Sequence, residues 1–393
     1  MARAKVKGNI NMTAKASEIL FSTSERVAPL SIIALPGAEE LGAKIDQYLV
    51  KWSSAAGFNF ETFLIENECP RFSSGDGKGL IKSTVRGDDI FIIVDVGNYS
   101  CSYELFGRQN AMSPDDHFQN LKRIIQAIGG KAHRINVSMP ILYGGRQHRR
   151  NYRESLDCAV ALQELENLGV SNIITFDAHD PRVCNAIPLM GFDNVIPTYQ
   201  VLKAMLNNVK DLKLDKEHFM AVSPDEGAMN RNMYYTSVLG VDLGMFYKRR
   251  DYSQVVNGRN PIVAHEYLGN SVEGKDVFIA DDIISSGESM LDIAYELKKR
   301  KAKRILAYAT YPIFTNGLEK FDMAYEQGII DYVFGTNLTY RTPELLARDW
   351  FCEVDVSKYI AYLIAALNHD MSTSKVIDPH LKISQLLEKH NNG

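Results

Sequence analysis

Cysteine is scarce and scattered. The 393 residues hold five, at Cys69, Cys101, Cys158, Cys184 and Cys352. No two form a C-x-x-C pair, so a zinc site of the usual spacing is excluded, and an odd, dispersed set makes no disulfide framework. Reduced thiols in a cytoplasmic protein are the expectation. No run reaches the ~18 apolar residues of a membrane span. Residues 1–21 carry charge throughout, which predicts a polar arm over 1–28 in place of an apolar signal core. A basic excess is also missing. The net charge of −4 and pI near 6.2 argue against broad nucleic-acid binding. Low-complexity tracts and internal repeats are absent as well.

What remains is ordinary globular material, 45% hydrophobic and 23% charged, enough for two or three domains. Short apolar runs at 30–35, 89–95, 132–140, 172–176, 218–223, 243–246, 276–280, 304–310 and 332–335 read as strands. Several are β-branched and apolar on both faces, as buried parallel strands are. Helix-length amphipathic segments separate them, most clearly at 38–52, 115–129, 155–168, 197–206 and 290–300, with Ser289 as a possible cap for the last. The alternation predicts parallel sheets covered by helices. There are too many strands for one five-stranded sheet, so two halves are expected, 29–195 and 196–350, followed by a C-terminal helix and polar tail over 351–393.

The most informative segment is Val277-Phe-Ile-Ala-Asp-Asp-Ile-Ile-Ser-Ser-Gly-Glu-Ser289. An apolar strand delivers two carboxylates, Asp281 and Asp282, to its C-terminal end. A loop with Ser285, Ser286, Gly287 and Ser289 then leads into a helix. Ligands of open α/β sheets bind beyond the carboxyl ends of the strands. A small-residue loop at a helix N-terminus offers N–H groups and hydroxyls to a phosphate. Paired carboxylates can accept from sugar hydroxyls or meet a Mg²⁺ shell. The combination describes a sugar-phosphate site, although a capped helix start without ligand would share these features.

The segment resembles the PRPP-binding loop of phosphoribosyltransferases and PRPP synthetases. Further segments resemble the synthetases in particular, in the same order along the chain: Arg86-Gly-Asp-Asp89, Gly144-Gly-Arg-Gln-His-Arg-Arg150, Asp177-Ala-His179, Val222-Ser-Pro-Asp225, Lys248-Arg-Arg250 and 306–314. Lys248 and Arg250, two apart on a strand, project to one side, and a Gly-Gly pair before Arg146 suits a loop that closes over substrate.

The resemblance implies two associated phosphoribosyltransferase-like α/β domains, each a mainly parallel sheet flanked by helices. It also implies a ribose-phosphate pyrophosphokinase that transfers the β,γ-diphosphoryl group of Mg·ATP to ribose 5-phosphate. By carry-over, Lys248, Arg250, Arg146 and His179 are catalytic. Asp225, Asp281, Asp282, Ser285, Ser286, Gly287 and Ser289 hold ribose 5-phosphate. Phe72, Asp76, Arg146, Gln147 and His179 hold ATP, and His179 and Asp225 meet the Mg²⁺. A homo-oligomer, dimer or hexamer, is implied, with Phe72–Asp76 completing a neighbour's site. A PRPP-consuming transferase or a catalytically silent relative are the alternatives.

Five residues depart from the family pattern: Ser74 and Asp76 in the adenine segment, His148 in the catalytic loop, Ser285 and Glu288 in the phosphate loop. A carboxylate beside a phosphate is repulsive, so Glu288 is expected to point outward, toward solvent or a basic residue.

Overall fold

Leu30–Ala34 (β1) reads Leu-Ser-Ile-Ile-Ala and is buried along nearly its whole length. That pattern needs cover on both faces, and the chain supplies it. The computed structural model describes residues 26–250, 262–377 and 379–391. The arm expected at the N-terminus therefore lies outside the described residues as far as residue 25.

In chain order the first half adds Asn67–Glu68 (β2), Leu80–Ile81 (β3), Asp89–Ile93 (β4), Ser102–Leu105 (β5), Arg108–Ala111 (β6), Arg134–Ser138 (β7), Asn172–Phe176 (β8) and Gly191–Val195 (β9). Five of these form one sheet in the order β1-β4-β7-β8-β9, every pair parallel. β2 with β3, and β5 with β6, are small antiparallel pairs outside it. The second half adds Phe219–Ser223 (β10), Asp242–Arg250 (β11), Ile262–Leu268 (β12), Asp276–Ile284 (β13), Arg304–Pro312 (β14), Tyr332–Thr336 (β15) and Phe351–Val354 (β16). Its sheet runs β12-β11-β10-β13-β14-β15-β16, parallel except where β12 returns against β11.

The strand order explains where a site must form. From β10 the chain goes outward to β11 and β12, then crosses back to place β13 on the other side of β10. The connections after β10 and β13 diverge, which opens a crevice at their carboxyl ends. Asp225 follows β10, and Asp281 and Asp282 lie on β13.

Helix boundaries follow local chemistry. Ser113 and Asp116 form a reciprocal capping box ahead of Pro114–Ile128, with Pro114 at the first position and Gly129 closing the helix at φ 61°. Glu288–Lys299 starts acidic and ends in Lys298 and Lys299, as the helix dipole favours.

The halves are not independent bodies. Trp52, Phe176, Phe278 and Tyr308 belong to one buried cluster that spans both. Ser357–Asn368 returns to the first half, where Tyr362 meets Trp52 edge-on with ring centroids 6.2 Å apart. Asn368 then donates to Asp89, which Arg134 also grips through two nitrogens. At about 1.5–3 kcal/mol per fully buried large side chain, this shared core favours a fixed relation between the sheets.

Several elements differ from the sequence expectation. β9, β12 and β16 were not anticipated, nor were the helices Met229–Leu239 and Glu319–Glu326. β13 continues four residues past the expected end because β14 keeps pairing with it as far as Ile284 and Pro312. Asp281 and Asp282 thus lie inside the strand. Ser289 is not the cap of the following helix, since Gly287 holds that position. The stretch read as a polar tail contains a further helix, His380–Asn391.

Candidate active site

A cleft of about 690 Å³ lies where the strands of both sheets end. Arg146, Gln147 and His179 line it from the first half, and Asp282, Tyr311 and Thr315 from the second. Tyr311, on β14, donates its hydroxyl to both the Pro140 and Phe176 carbonyls, which ties the second sheet to the ends of β7 and β8 at the cleft floor.

The carboxylates sit in a buried ionic network. Asp177 directly follows β8 at a left-handed φ of 43°. Its carboxylate accepts from Arg231 Nε, with the two oxygens at 2.9 and 2.7 Å, and from the Thr310 hydroxyl at 2.7 Å. Arg231 Nη1 also lies 3.5 Å from Asp281. His179 Nδ1 pairs with Asp282 Oδ2 at 2.7 Å. Five ionisable groups, Asp177 and His179 after β8, Asp281 and Asp282 on β13 and Arg231 on the helix Met229–Leu239, therefore hold one another in place.

The network fixes protonation. The hydrogen bond that His179 donates to Asp282 raises the His179 pKa against the opposing effect of burial. Asp282 and Asp281 diverge as paired carboxylates do. Burial opposes the charge of both. The His179 and Arg231 contacts outweigh it at Asp282, which is held below the usual range. Burial and then the neighbouring Asp282 charge push Asp281 upward.

Arg231 was not picked out from the sequence. The signal was present, since Asp225-Glu-Gly-Ala-Met-Asn-Arg231 places it two turns beyond a recognised acidic residue. The unanticipated helix hid its direction.

The loop after β13 has the shape expected of an anion cradle. Gly287 has φ 75°, and a Cβ there would lie 2.3 Å from Phe321 Cε2, so only glycine fits. Ser285 is anchored to Thr315 by a backbone bond of 2.9 Å and a hydroxyl contact of 3.3 Å. Ser286 and Ser289 flank Gly287 at the start of the helix Glu288–Lys299. Glu288 turns its carboxylate to Lys320 Nζ at 2.5 Å on the exposed surface, the outward placement expected from repulsion. Asp225 accepts from the Ala228 N–H at 3.1 Å, closing the turn after β10.

In the cleft lining from the first half, Gly144 has φ 64°, and a Cβ there would lie 2.9 Å from the Cys158 nitrogen. This tight turn presents Arg146, which is exposed, and Gln147, which donates to Ser155 O. His148 lies 3.5 Å from Asp180, with its ring centroid 5.3 Å from that of His179.

Not every expected residue meets here. Of the residues expected to hold ribose 5-phosphate only Asp282 lines the cleft; Asp225, Asp281, Ser285, Ser286, Gly287 and Ser289 lie outside its lining, and so do Phe72 and Asp76. The last two lie in the excursion between β2 and β3, where Ser74 donates to Asp76 and Phe72 is exposed. Arg71 in the same excursion stacks on Tyr103 of β5. Lys248 and Arg250 are the first and last of the final three positions of β11 by backbone, and their side chains lie outside the described residues. For a metal, the residues suit a cation carried by substrate. Mg²⁺ prefers oxygen ligands, keeps several waters and binds through one or two carboxylates plus substrate phosphates. Among the described residues no group of three or more His, Cys, Asp or Glu is placed to form a cage.

Comparison with known proteins agrees with this layout. Residues 30–169 match the family profile described as the N-terminal domain of ribose phosphate pyrophosphokinase, and residues 198–326 match the phosphoribosyl transferase domain. The ribose-phosphate pyrophosphokinase of Vibrio cholerae is 29% identical over 313 residues, 78% of this chain and 90% of that protein. The enzyme of Pasteurella multocida is 28% identical over 309 residues, 77% and 88% of the two chains. The solved phosphoribosylpyrophosphate synthetase of Mycobacterium smegmatis shares the fold, with a TM-score of 0.69 at 18% identity over 87% of this chain and 99% of that one. With both of its halves matched in order around one cleft, the chain belongs to the ribose-phosphate pyrophosphokinase family.

Proposed function

We propose that this chain makes PRPP: it transfers the β,γ-diphosphoryl group of Mg·ATP to the C1 hydroxyl of ribose 5-phosphate and releases AMP. The observation that carries this reading is the network joining His179 to Asp282 and Asp177 to Arg231 and Asp281. It brings the Asp-x-His of one half against the PRPP-type loop of the other, an arrangement a transferase that only consumes PRPP would not need.

The roles follow from placement. Ser285, Ser286, Gly287 and Ser289 receive the 5-phosphate with N–H groups and hydroxyls at a helix start. Asp281 and Asp282 face the ribose hydroxyls, and Asp225 lies beside them across the crevice. Arg146 and Gln147 reach the ATP phosphates from the Gly-Gly turn. His179, whose Nδ1 is engaged by Asp282, has Nε2 left for a phosphate oxygen or a water of the cation. Lys248 and Arg250 supply charge to the transferring group. His179 and Asp225 are the groups that would hold Mg²⁺, which would neutralise phosphate charge when bound. In such a transfer the protein contributes position and charge more than covalent chemistry.

Phe72 and Asp76 bind adenine in a neighbouring subunit's site, which is why they are exposed and remote from their own cleft. The domain boundary falls between residues 195 and 196. Among the described residues no helix is long and apolar enough to cross a membrane, and the reaction's substrates are those of a cytoplasmic enzyme. The test is direct: purified protein with Mg²⁺, ATP and ribose 5-phosphate, followed for AMP and PRPP. AMP and PRPP formed in equal amounts support the reading. No turnover, or PRPP consumed when a nucleobase is added, sinks it.

A further inference from the structure

A second cleft, about 790 Å³, shares no lining residue with the first. Three helices converge on it: Thr198–Asn208, Ser357–Asn368 and His380–Asn391. Each turns one face inward. On the last, Lys382, Gln385, Leu386 and Lys389 recur at helical spacing and all line the cleft. Such positions between packed helices are ordinarily apolar. Leu386 obeys that rule and packs against the core, whereas the lysines do not.

Four lysines surround the space: Lys203, Lys358, Lys382 and Lys389. None of them forms an ion pair with a carboxylate among the described residues. Two acidic residues also line it, but both are occupied. Glu353 pairs with Arg341 at 2.8 Å and lies 3.8 Å from Lys44. Asp355 accepts from Asn337 and from the Ser357 N–H. The cleft is thus cationic in a chain whose net charge is −4. Lys382 is half-buried over the Tyr362 ring, 5.5 Å from its centroid, and burial followed by the nearby Lys358 charge depresses its pKa. Converging like charges in a half-buried site are unfavourable unless an anion answers them. Tyr48, Tyr199 and Tyr362 add aromatic walls.

We propose that this cleft is a second binding site, separate from the catalytic one, for a small molecule carrying two or more phosphate groups. The enclosed volume is that of a small-molecule pocket, which favours such a ligand over an extended polyanion lying on a surface. Lys358, Lys382 and Lys389 fall outside both residue ranges matched to the family, so the site depends on segments beyond those domains.

Inorganic tripolyphosphate, without metal, is the probe. Titration calorimetry of the whole protein should reveal two classes of site. The double variant Lys358→Ala/Lys382→Ala should weaken one class at least tenfold, with an unchanged far-ultraviolet spectrum. Arg146→Ala/His179→Ala should weaken only the other. Should the double variant misfold, the exposed single changes Lys203→Ala and Lys389→Ala should each weaken the same class about threefold. The proposal is overturned if the lysine variants bind tripolyphosphate like the unaltered protein, or if a single class is seen and the Arg146/His179 variant abolishes it. It is equally overturned if the lysine variants lose binding to a short RNA or to anionic vesicles while tripolyphosphate binding is unchanged.

Discussion

His179 Nδ1 lies 2.7 Å from Asp282 Oδ2, although the two residues come from different sheets and are 103 positions apart in the chain. The bond engages Nδ1 of a ring that lines the cleft. It also makes the pair sensitive to pH from both sides. His179 has a folded pKa above its ordinary 6.5, so its share of the stability is full below 6.5 and is lost as pH rises through the folded value. Asp282 has a folded pKa below its ordinary 3.8, so its share is full above 3.8 and is lost as pH falls through the folded value. The pair is strongest between those limits. In Asp282→Asn the His179 pKa should drop, because burial remains while the partner charge is gone. Nitrogen-detected NMR of the imidazole measures this, and an unchanged titration would falsify the pairing. Turnover should fall by roughly 10- to 100-fold, on the scale of lost preorganisation.

Arg231 is the second strut of the same network. It is buried and serves Asp177 and Asp281 together. Removing one partner of a buried ionic cluster costs about 3–5 kcal/mol, because the remaining charge is stranded. Arg231→Ala should therefore lower the unfolding free energy by that order and abolish activity. Arg231→Lys should recover part of the stability but little turnover, since an ammonium cannot reproduce the guanidinium fork. Chemical denaturation and steady-state rates on the two variants decide it. Equal stability in all three proteins would remove Arg231 from the network.

The alternation of short apolar strands and amphipathic helices was legible because buried parallel strands need no other partner to declare themselves. β4 and β8 carry apolar residues on both faces, and nothing else fits that pattern. β12 and β16 were hidden for a physical reason. An edge strand is half-solvated, and Ile262–Leu268 mixes His265, Glu266 and Tyr267 with its apolar residues, so its periodicity is weak. The site was legible where chemistry is local, as at Gly287 and Asp281-Asp282. It was illegible where long-range packing decides. No spacing in the sequence shows that Thr310 donates to Asp177, or that Lys320 donates to Glu288.

Lys248 and Arg250 lie at the end of β11, which pairs with β10 and continues four residues past the 243–246 run expected from the sequence. Each is assigned to the charge on the transferring group, an interaction worth more in the transition state than in the ground state. Replacing either with Ala should lower kcat by roughly 10²-fold or more with little change in melting behaviour. Near-normal kcat in both variants would show that the diphosphoryl charge is met elsewhere.

Glu288 and Gly287 are neighbours with opposite tolerances, and comparing them tests the phosphate loop. Glu288 lies on the exposed side, paired with Lys320, and both side chains are about half exposed. Such a pair is worth about 0–1 kcal/mol. Glu288→Gly should therefore leave stability nearly intact and change the KM for ribose 5-phosphate less than about threefold. Gly287 has no such freedom. A methyl group there would meet the Phe321 ring at 2.3 Å, and the left-handed backbone adds strain for any side chain. Gly287→Ala should cost about 1–3 kcal/mol of stability, as overpacking does. It should also raise the KM for ribose 5-phosphate at least tenfold, because the N–H groups of the loop lose their common direction. Ser289→Ala should fall between the two, since it removes one hydroxyl donor and leaves the backbone in place. A large gain in ribose 5-phosphate affinity in Glu288→Gly would mean that the carboxylate faces the ligand after all, and the substrate assigned to the loop would then be wrong.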